Sequence, residues 1–135
     1  MEGEVLRDLS VLVCDDSELV RTQLKETLTT IGVEEIIEAK DGEEAVAVCL
    51  EKQPDLVFMD IIMPKKDGIA ALKEINQQDP MIKVIMASSS SGQSHLRNSL
   101  LLGAYKFIQK PISEIVIRDI LYNFLDEHPA RKSKV

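Results

Sequence analysis

The chain has 135 residues, 44% hydrophobic and 29% charged, with a formal net charge of -7 at pH 7. That length suits one domain with a real core, and the composition excludes a globally disordered chain. The acidic balance argues against direct nucleic-acid binding, because it repels phosphate backbones, and the tail cations Arg131, Lys132 and Lys134 read as a solvated end.

Ser10–Cys14 is a short, continuously apolar run, as expected of a strand buried on both faces. Ser17 is a candidate N-cap for a helix in which Leu19, Val20, Leu24, Leu28 and Ile31 recur at helical spacing before Gly32. Ile36 and Ile37 mark a second strand. Asp41-Gly42 opens the next helix, with Ala45, Val46, Cys49 and Leu50 on one face and Pro54 at its end. Leu56–Met59 is a third strand. Met63–Gly68 reads as a turn into a helix over Gly68 to Gln78, which Asp79-Pro80 breaks. Val84–Ala87 is the fourth strand, and Gln93 to Leu102 a helix stopped by Gly103. Tyr105–Ile108 is the fifth strand, and Ser113 caps a last helix carrying Ile117, Ile120, Leu121 and Phe124.

Strands alternating with helices predict an α/β fold, a doubly wound five-stranded parallel sheet covered on both faces. The expectation is a single domain over residues 1–135, with a core from about 9 to 125, short tails and no output domain after the last helix. Cys14 and Cys49 lie in apolar runs outside any Cys/His array, so they read as buried thiols in a reducing compartment rather than zinc ligands. Met1–Glu4 is acidic, unlike a secretory leader, and no apolar run approaches the roughly 20 residues that span a bilayer. The expected location is cytoplasmic, with no membrane insertion.

Ligands of open parallel sheets bind beyond the carboxyl ends of the strands. Asp15 and Asp16 follow the first strand, Asp60 ends the third, Ser88 follows the fourth and Lys110 the fifth. Three carboxylates at one edge repel each other, and a hard divalent cation such as Mg²⁺ relieves this. With a lysine charge and a hydroxyl donor beside them, the set suffices for phosphoryl transfer, in which a carboxylate can act as nucleophile. Taken singly, each residue has a plainer reading: Asp15-Asp16 as a helix cap, Asp60 as a turn residue, Lys110 as a surface lysine, Ser88–Ser91 as a loop.

Val11-Leu12-Val13-Cys14-Asp15-Asp16-Ser17, Pro54 through Gly68, Val84-Ile85-Met86-Ala87-Ser88 and Lys110-Pro111 together resemble the receiver domain of two-component response regulators, of the CheY-like, stand-alone type. The resemblance runs from about Leu9 to Phe124 and implies a flavodoxin-like (βα)5 fold. It implies Asp60 as phospho-acceptor. It also implies Mg²⁺ (or Mn²⁺) held by Asp16 and Asp60, by Asp15 largely through water, and by the backbone carbonyl of Ile62. Ser88 would contact the phosphoryl group, Lys110 would pair with the acceptor ahead of a cis Pro111, and Phe107 would be the switch aromatic. The implied partners are a histidine kinase or phosphotransfer protein as phosphodonor and a target protein at the Gln93–Phe124 surface. The chain would be a monomer or weak dimer, in a chemotaxis-type or phosphorelay role.

Ser88 stands where threonine is commoner, and Phe107 where tyrosine is frequent. In that family the residues two beyond the acceptor and two beyond the hydroxyl tune hydrolysis; here Ile62 and Ser90 offer no acid or amide to an attacking water, so the resemblance implies slow self-dephosphorylation. Two rival functions share the fold. An aspartate-nucleophile phosphatase usually needs a general acid where Ile62 stands, and a phosphorylation-independent interaction module typically loses part of the acidic site.

Overall fold

Among the described residues, five strands alternate with five helices of eight residues or more. They are β1 (Ser10–Cys14), α1 (Glu18–Ile31), β2 (Glu35–Ala39), α2 (Gly42–Lys52), β3 (Leu56–Asp60), α3 (Gly68–Gln78), β4 (Lys83–Ser88), α4 (Gln93–Leu101), β5 (Lys106–Gln109) and α5 (Glu114–Glu127). The computed structural model describes residues 6–89 and 93–128, the backbone alone at 93–96; the expectations placed on Met1–Glu4, Ser90, Ser91 and Arg131–Lys134 lie outside the described residues. A helical turn at 6–8 precedes β1, and it buries Leu6, ahead of the expected start of the core near residue 9.

All strand pairs are parallel, in the order β2-β1-β3-β4-β5. Successive side chains of a strand face opposite sides of the sheet, and the buried runs divide accordingly. Val11, Val13, Leu56, Phe58 and Ile85 pack against Leu24 and Leu28 of α1 and Ile117, Leu121 and Phe124 of α5. Leu12, Cys14, Val57, Met59, Val84 and Met86 pack against Val46 and Cys49 of α2 and Ala71, Leu72 and Ile75 of α3. Each fully buried side chain of this size contributes about 1.5–3 kcal/mol of transfer free energy.

The helix starts are where the sequence put them. Ser17, Asp41, Asp67 and Ser113 each accept a hydrogen bond from the N–H three residues on, at 3.2, 2.8, 2.8 and 3.2 Å. Each cap is worth about 1 kcal/mol. Gly32 closes α1 at φ +127°, and its N–H donates to the carbonyls of Leu28 and Thr29.

Departures from the sequence reading fall mainly at the sheet edges. β2 is longer than Ile36-Ile37, with exposed Glu35 and Glu38 flanking them, because an outer strand is only partly covered. β5 runs Lys106–Gln109 rather than Tyr105–Ile108, and it too is an outer strand, half-buried at Lys106–Ile108 and exposed at Gln109. α4 ends at Leu101, one residue early, and Leu102 enters the turn at Gly103.

The order of the strands positions the site. β2 and β3 lie on opposite sides of β1, so the connections leaving β1 and β3 part in opposite directions. A crevice opens there at the carboxyl ends.

Candidate functional site

Asp15 follows β1, Asp60 ends β3, Ser88 ends β4 and Lys110 follows β5, so parallel pairing delivers all four to one edge of the sheet. Asp15 is buried, and each of its polar groups is engaged. Its N–H donates to the Ala39 carbonyl (3.1 Å), and its own carbonyl accepts from Arg21 Nη1 (2.8 Å). Its Oδ1 accepts from the Ser17 N–H (2.9 Å) and its Oδ2 from Lys110 Nζ (2.6 Å).

Lys110 sits between two carboxylates, 2.6 Å from Asp15 Oδ2 and 3.3 Å from Asp60 Oδ1. The sequence reading paired it with Asp60 first; the shorter contact is to Asp15. Both aspartates lie at neighbouring strand ends, and the caps that fix Asp15 hold its Oδ2 toward the lysine. The Lys110 N–H donates to the Ser88 carbonyl (2.8 Å), which ties the ends of β4 and β5, and the Lys110-Pro111 peptide is cis, as expected.

Electrostatics follow from this packing. Burial and the charge of Asp15 raise the Asp60 carboxyl above the ordinary range, against the lowering pull of Lys110 and the Ile61 N–H. Burial pulls Lys110 down, but its hydrogen bond to Asp15 and the charges of Asp60 and Asp15 outweigh that, and its pKa is raised. Asp15, Asp16 and Asp60 each offer a carboxylate oxygen, all within 4.8 Å of one another. An exposed Asp16, a half-buried Asp60 and a buried Asp15 form an oxygen-only donor set open to water on one side, which fits a hard divalent cation such as Mg²⁺.

The other expected residues lie as follows. Ser88 is buried at the last position of β4, while Ser89 is exposed. Ile62, two residues past Asp60, is 70% exposed. Phe107 lies beside Met86 in the sheet and packs, half-buried, on the layer formed with α2 and α3. Sequence reasoning missed Arg21, which holds the Asp15 carbonyl and pairs with Glu38 at 3.1 Å, and it gave Glu38 no part. No spacing in the chain announces that contact. His128 stacks on Phe124 with ring centroids 4.2 Å apart. Lys65 and Lys66 pair with Asp41 (3.8 Å) and Glu74 (2.7 Å).

Residues 11–122 match the family model of the response regulator receiver domain. The chain belongs to that family. This receiver domain is 44% identical to the chemotaxis protein CheY of Bacillus subtilis over 101 residues, 75% of this chain and 84% of that protein. It is 43% identical to the CheY of Thermotoga maritima over the same shares. A crystal structure of the CheX–CheY–BeF3–Mg²⁺ complex from Borrelia burgdorferi superimposes with a TM-score of 0.79 at 35% identity, covering 88% of each chain. The receiver assignment brings the general function with it, phospho-acceptor signalling of the response-regulator kind, and receiver domains bind Mg²⁺ at an acidic pocket of this type.

Proposed function

We propose that this receiver domain is a chemotaxis-type or phosphorelay switch phosphorylated on Asp60. The observation that carries the reading is Lys110 Nζ seated between Asp15 and Asp60, with three carboxylates at one strand edge. A carboxylate oxygen of Asp60 attacks phosphorus and forms an acyl phosphate. The bond from phosphorus to the donor atom breaks, and its electron pair leaves with the donor. With a histidine kinase or phosphotransfer protein as donor, that atom is an imidazole nitrogen.

Asp16 and Asp60, the Ile62 carbonyl and, through water, Asp15 would hold Mg²⁺ (or Mn²⁺), which neutralises charge on the phosphoryl oxygens when bound. Lys110 holds the acceptor and then meets the transferred oxygens, Ser88 donates its hydroxyl to one of them, and Phe107 turns inward as Ser88 moves. The relatives named as chemotaxis proteins support the chemotaxis role. The target protein would bind the Gln93–Phe124 face, with the chain acting as one receiver unit, monomeric or weakly dimeric, in the cytoplasm. Among the described residues no helix is long and apolar enough to cross a membrane.

Two features favour a switch over a phosphatase that turns over small esters. The residue two past Asp60 is the exposed, apolar Ile62, which cannot act as general acid. Asp16 is exposed and Asp60 only partly buried, so the acidic site faces solvent rather than lying inside a capped chamber. The same lack of an acid or amide at Ile62 supports slow self-dephosphorylation, and an aspartyl phosphate lasting only seconds would contradict it.

The test is intact mass after incubation with Mg²⁺ and acetyl phosphate. One added phosphoryl group on the wild type, absent from Asp60→Asn and from an EDTA control, is the expected result. No added mass, together with failure to bind beryllofluoride, would make the chain a phosphorylation-independent interaction module. Repeated turnover of a phosphate ester would make it an enzyme.

A further inference from the structure

Two Asp-Gly pairs open helices beside the acceptor, and the chemistry above uses neither. In each, the aspartate caps the helix and the glycine is its first residue. Both glycines are buried, and both face backbone. A Cβ on Gly68 would collide with the carbonyl oxygen of Asp60 and lie 2.9 Å from its carbonyl carbon and 3.0 Å from Ile61 Cα. A Cβ on Gly42 would collide with the carbonyl oxygen of Lys66 and lie 2.7 Å from its carbonyl carbon and 2.9 Å from its Cβ. The loop after Asp60 is thus gripped at both ends, by α3 at its start and by α2 at its finish.

Gly68 is the loop's own continuation, and its N–H donates to the Ile61 carbonyl at 2.7 Å. Gly42 belongs to a different helix, which makes its contact the informative one. Two further contacts join the same parts. Cys14 Sγ, on the residue before Asp15, lies 3.5 Å from the Asp41 carbonyl oxygen and 3.4 Å from Met63 Sδ in the loop. Lys65, at φ +66°, places Nζ 3.8 Å from Asp41 Oδ2. The start of α2 therefore touches both the strand that delivers Asp15 and the loop that carries Ile62.

We propose that Gly42 is a positioning residue for the Asp60 site: its missing side chain lets α2 close on the Lys66 carbonyl and fix the loop that supplies the third side of the metal and phosphoryl pocket. The inference rests on the Asp60 reading above and adds to it a residue that touches neither metal nor phosphate. Helix propensity alone gives the opposite sign, since alanine outranks glycine inside a helix. Without the backbone contact, Gly42→Ala would leave the protein equal or better.

The experiment titrates unphosphorylated chain with Mg²⁺ alone by calorimetry and measures the initial rate of phosphoryl uptake from acetyl phosphate. Gly42→Ala is expected to weaken Mg²⁺ at least tenfold and to slow uptake by a similar factor. The control is Gly103→Ala. Gly103 sits at φ +102° before β5, and a Cβ there would meet the Asn76 side chain 2.6 Å away, near the far end of α3, so this change strains the chain without touching the loop itself. Its folded fraction is expected to keep the wild-type affinity. Should Gly42→Ala fail to fold, Lys66→Gly decides, because it loosens the backbone that carries the same carbonyl; it also breaks the 2.7 Å pair with Glu74, so it is compared with Glu74→Ala, and a loss of Mg²⁺ affinity threefold or more beyond that variant is expected. Wild-type affinity in folded Gly42→Ala, equal losses in both glycine variants, or a Lys66→Gly no weaker than Glu74→Ala where that variant decides, would overturn the proposal. A wild type that binds Mg²⁺ but takes up no phosphate sinks the phospho-acceptor reading instead, and the metal titration still decides the role of Gly42.

Discussion

β1 and β3 are buried along their length and the loops that leave them are pinned, whereas β5 is only partly covered. Val11 to Cys14 and Leu56 to Met59 are buried without a break, and their loops are pinned by caps, by two buried glycines and by Lys110. β5 is half-buried at best, and the helices flanking it show apolar side chains to solvent, with Leu101 78% and Ile115 72% exposed. Charge chemistry requires groups that do not reorganise. A surface that answers to that chemistry must instead have two arrangements of similar free energy, which poor coverage permits. The division between a fixed site and a loosely covered face is what a chemical switch needs.

The sharpest way to break this comparison is to hollow out the fixed side. Phe58→Ala, in the middle of β3 and 1% exposed, is expected to cost about 3–5 kcal/mol in urea unfolding. A cost near zero would mean that the β3 region is no better held than β5.

A smaller effect of opposite sign comes from the acceptor. Its raised pKa means that the folded state holds the Asp60 proton more tightly than the unfolded chain does. Stability is therefore lost as pH rises from the ordinary carboxylate range through the raised value. Asp60→Asn removes this penalty, so without Mg²⁺ it should be more stable than the wild type at pH 7. The advantage should vanish below the ordinary carboxylate range, as read from urea midpoints at several pH values. An equal advantage at acid pH would place its cause elsewhere.

Ser113→Ala, at the head of α5, should cost about 1 kcal/mol, the worth of one N-cap. The smallest effect on folding belongs to the bare face: Leu101→Ala should stay within about 0.5 kcal/mol of the wild type in the same assay. The same substitution should weaken capture of a target protein by the beryllofluoride-bound chain. A large folding cost with unchanged capture would show that Leu101 serves the core.

What could be read from the sequence divides along the same line. β1, β3 and β4 announce themselves because both of their faces are buried, and continuous apolar runs have no other simple reading. Ser17, Asp41 and Ser113 are legible because capping is local, decided within four residues. β2 and β5 blur because outer strands mix exposed and covered positions. The acidic site is legible as a set, since every strand end was known to point one way. The preference of Lys110 for Asp15 is not, because it joins residues 95 positions apart and turns on a fraction of an ångström. Nor does an Asp-Gly pair reveal what its glycine touches: the sequence shows the missing side chain at Gly42, and only the fold shows the Lys66 carbonyl filling its place.

The two thiols have a practical consequence. Cys14 and Cys49 are both buried. Burial, with nearby acidic charge, raises the thiol of Cys14 and pushes that of Cys49 up to about 12. At neutral pH neither is a reactive thiolate, so a maleimide dye or nitroxide should ignore the native chain. A Leu101→Cys protein would then label at one place without removing either natural cysteine, and a probe there would report the bare face directly as phosphate is added and lost.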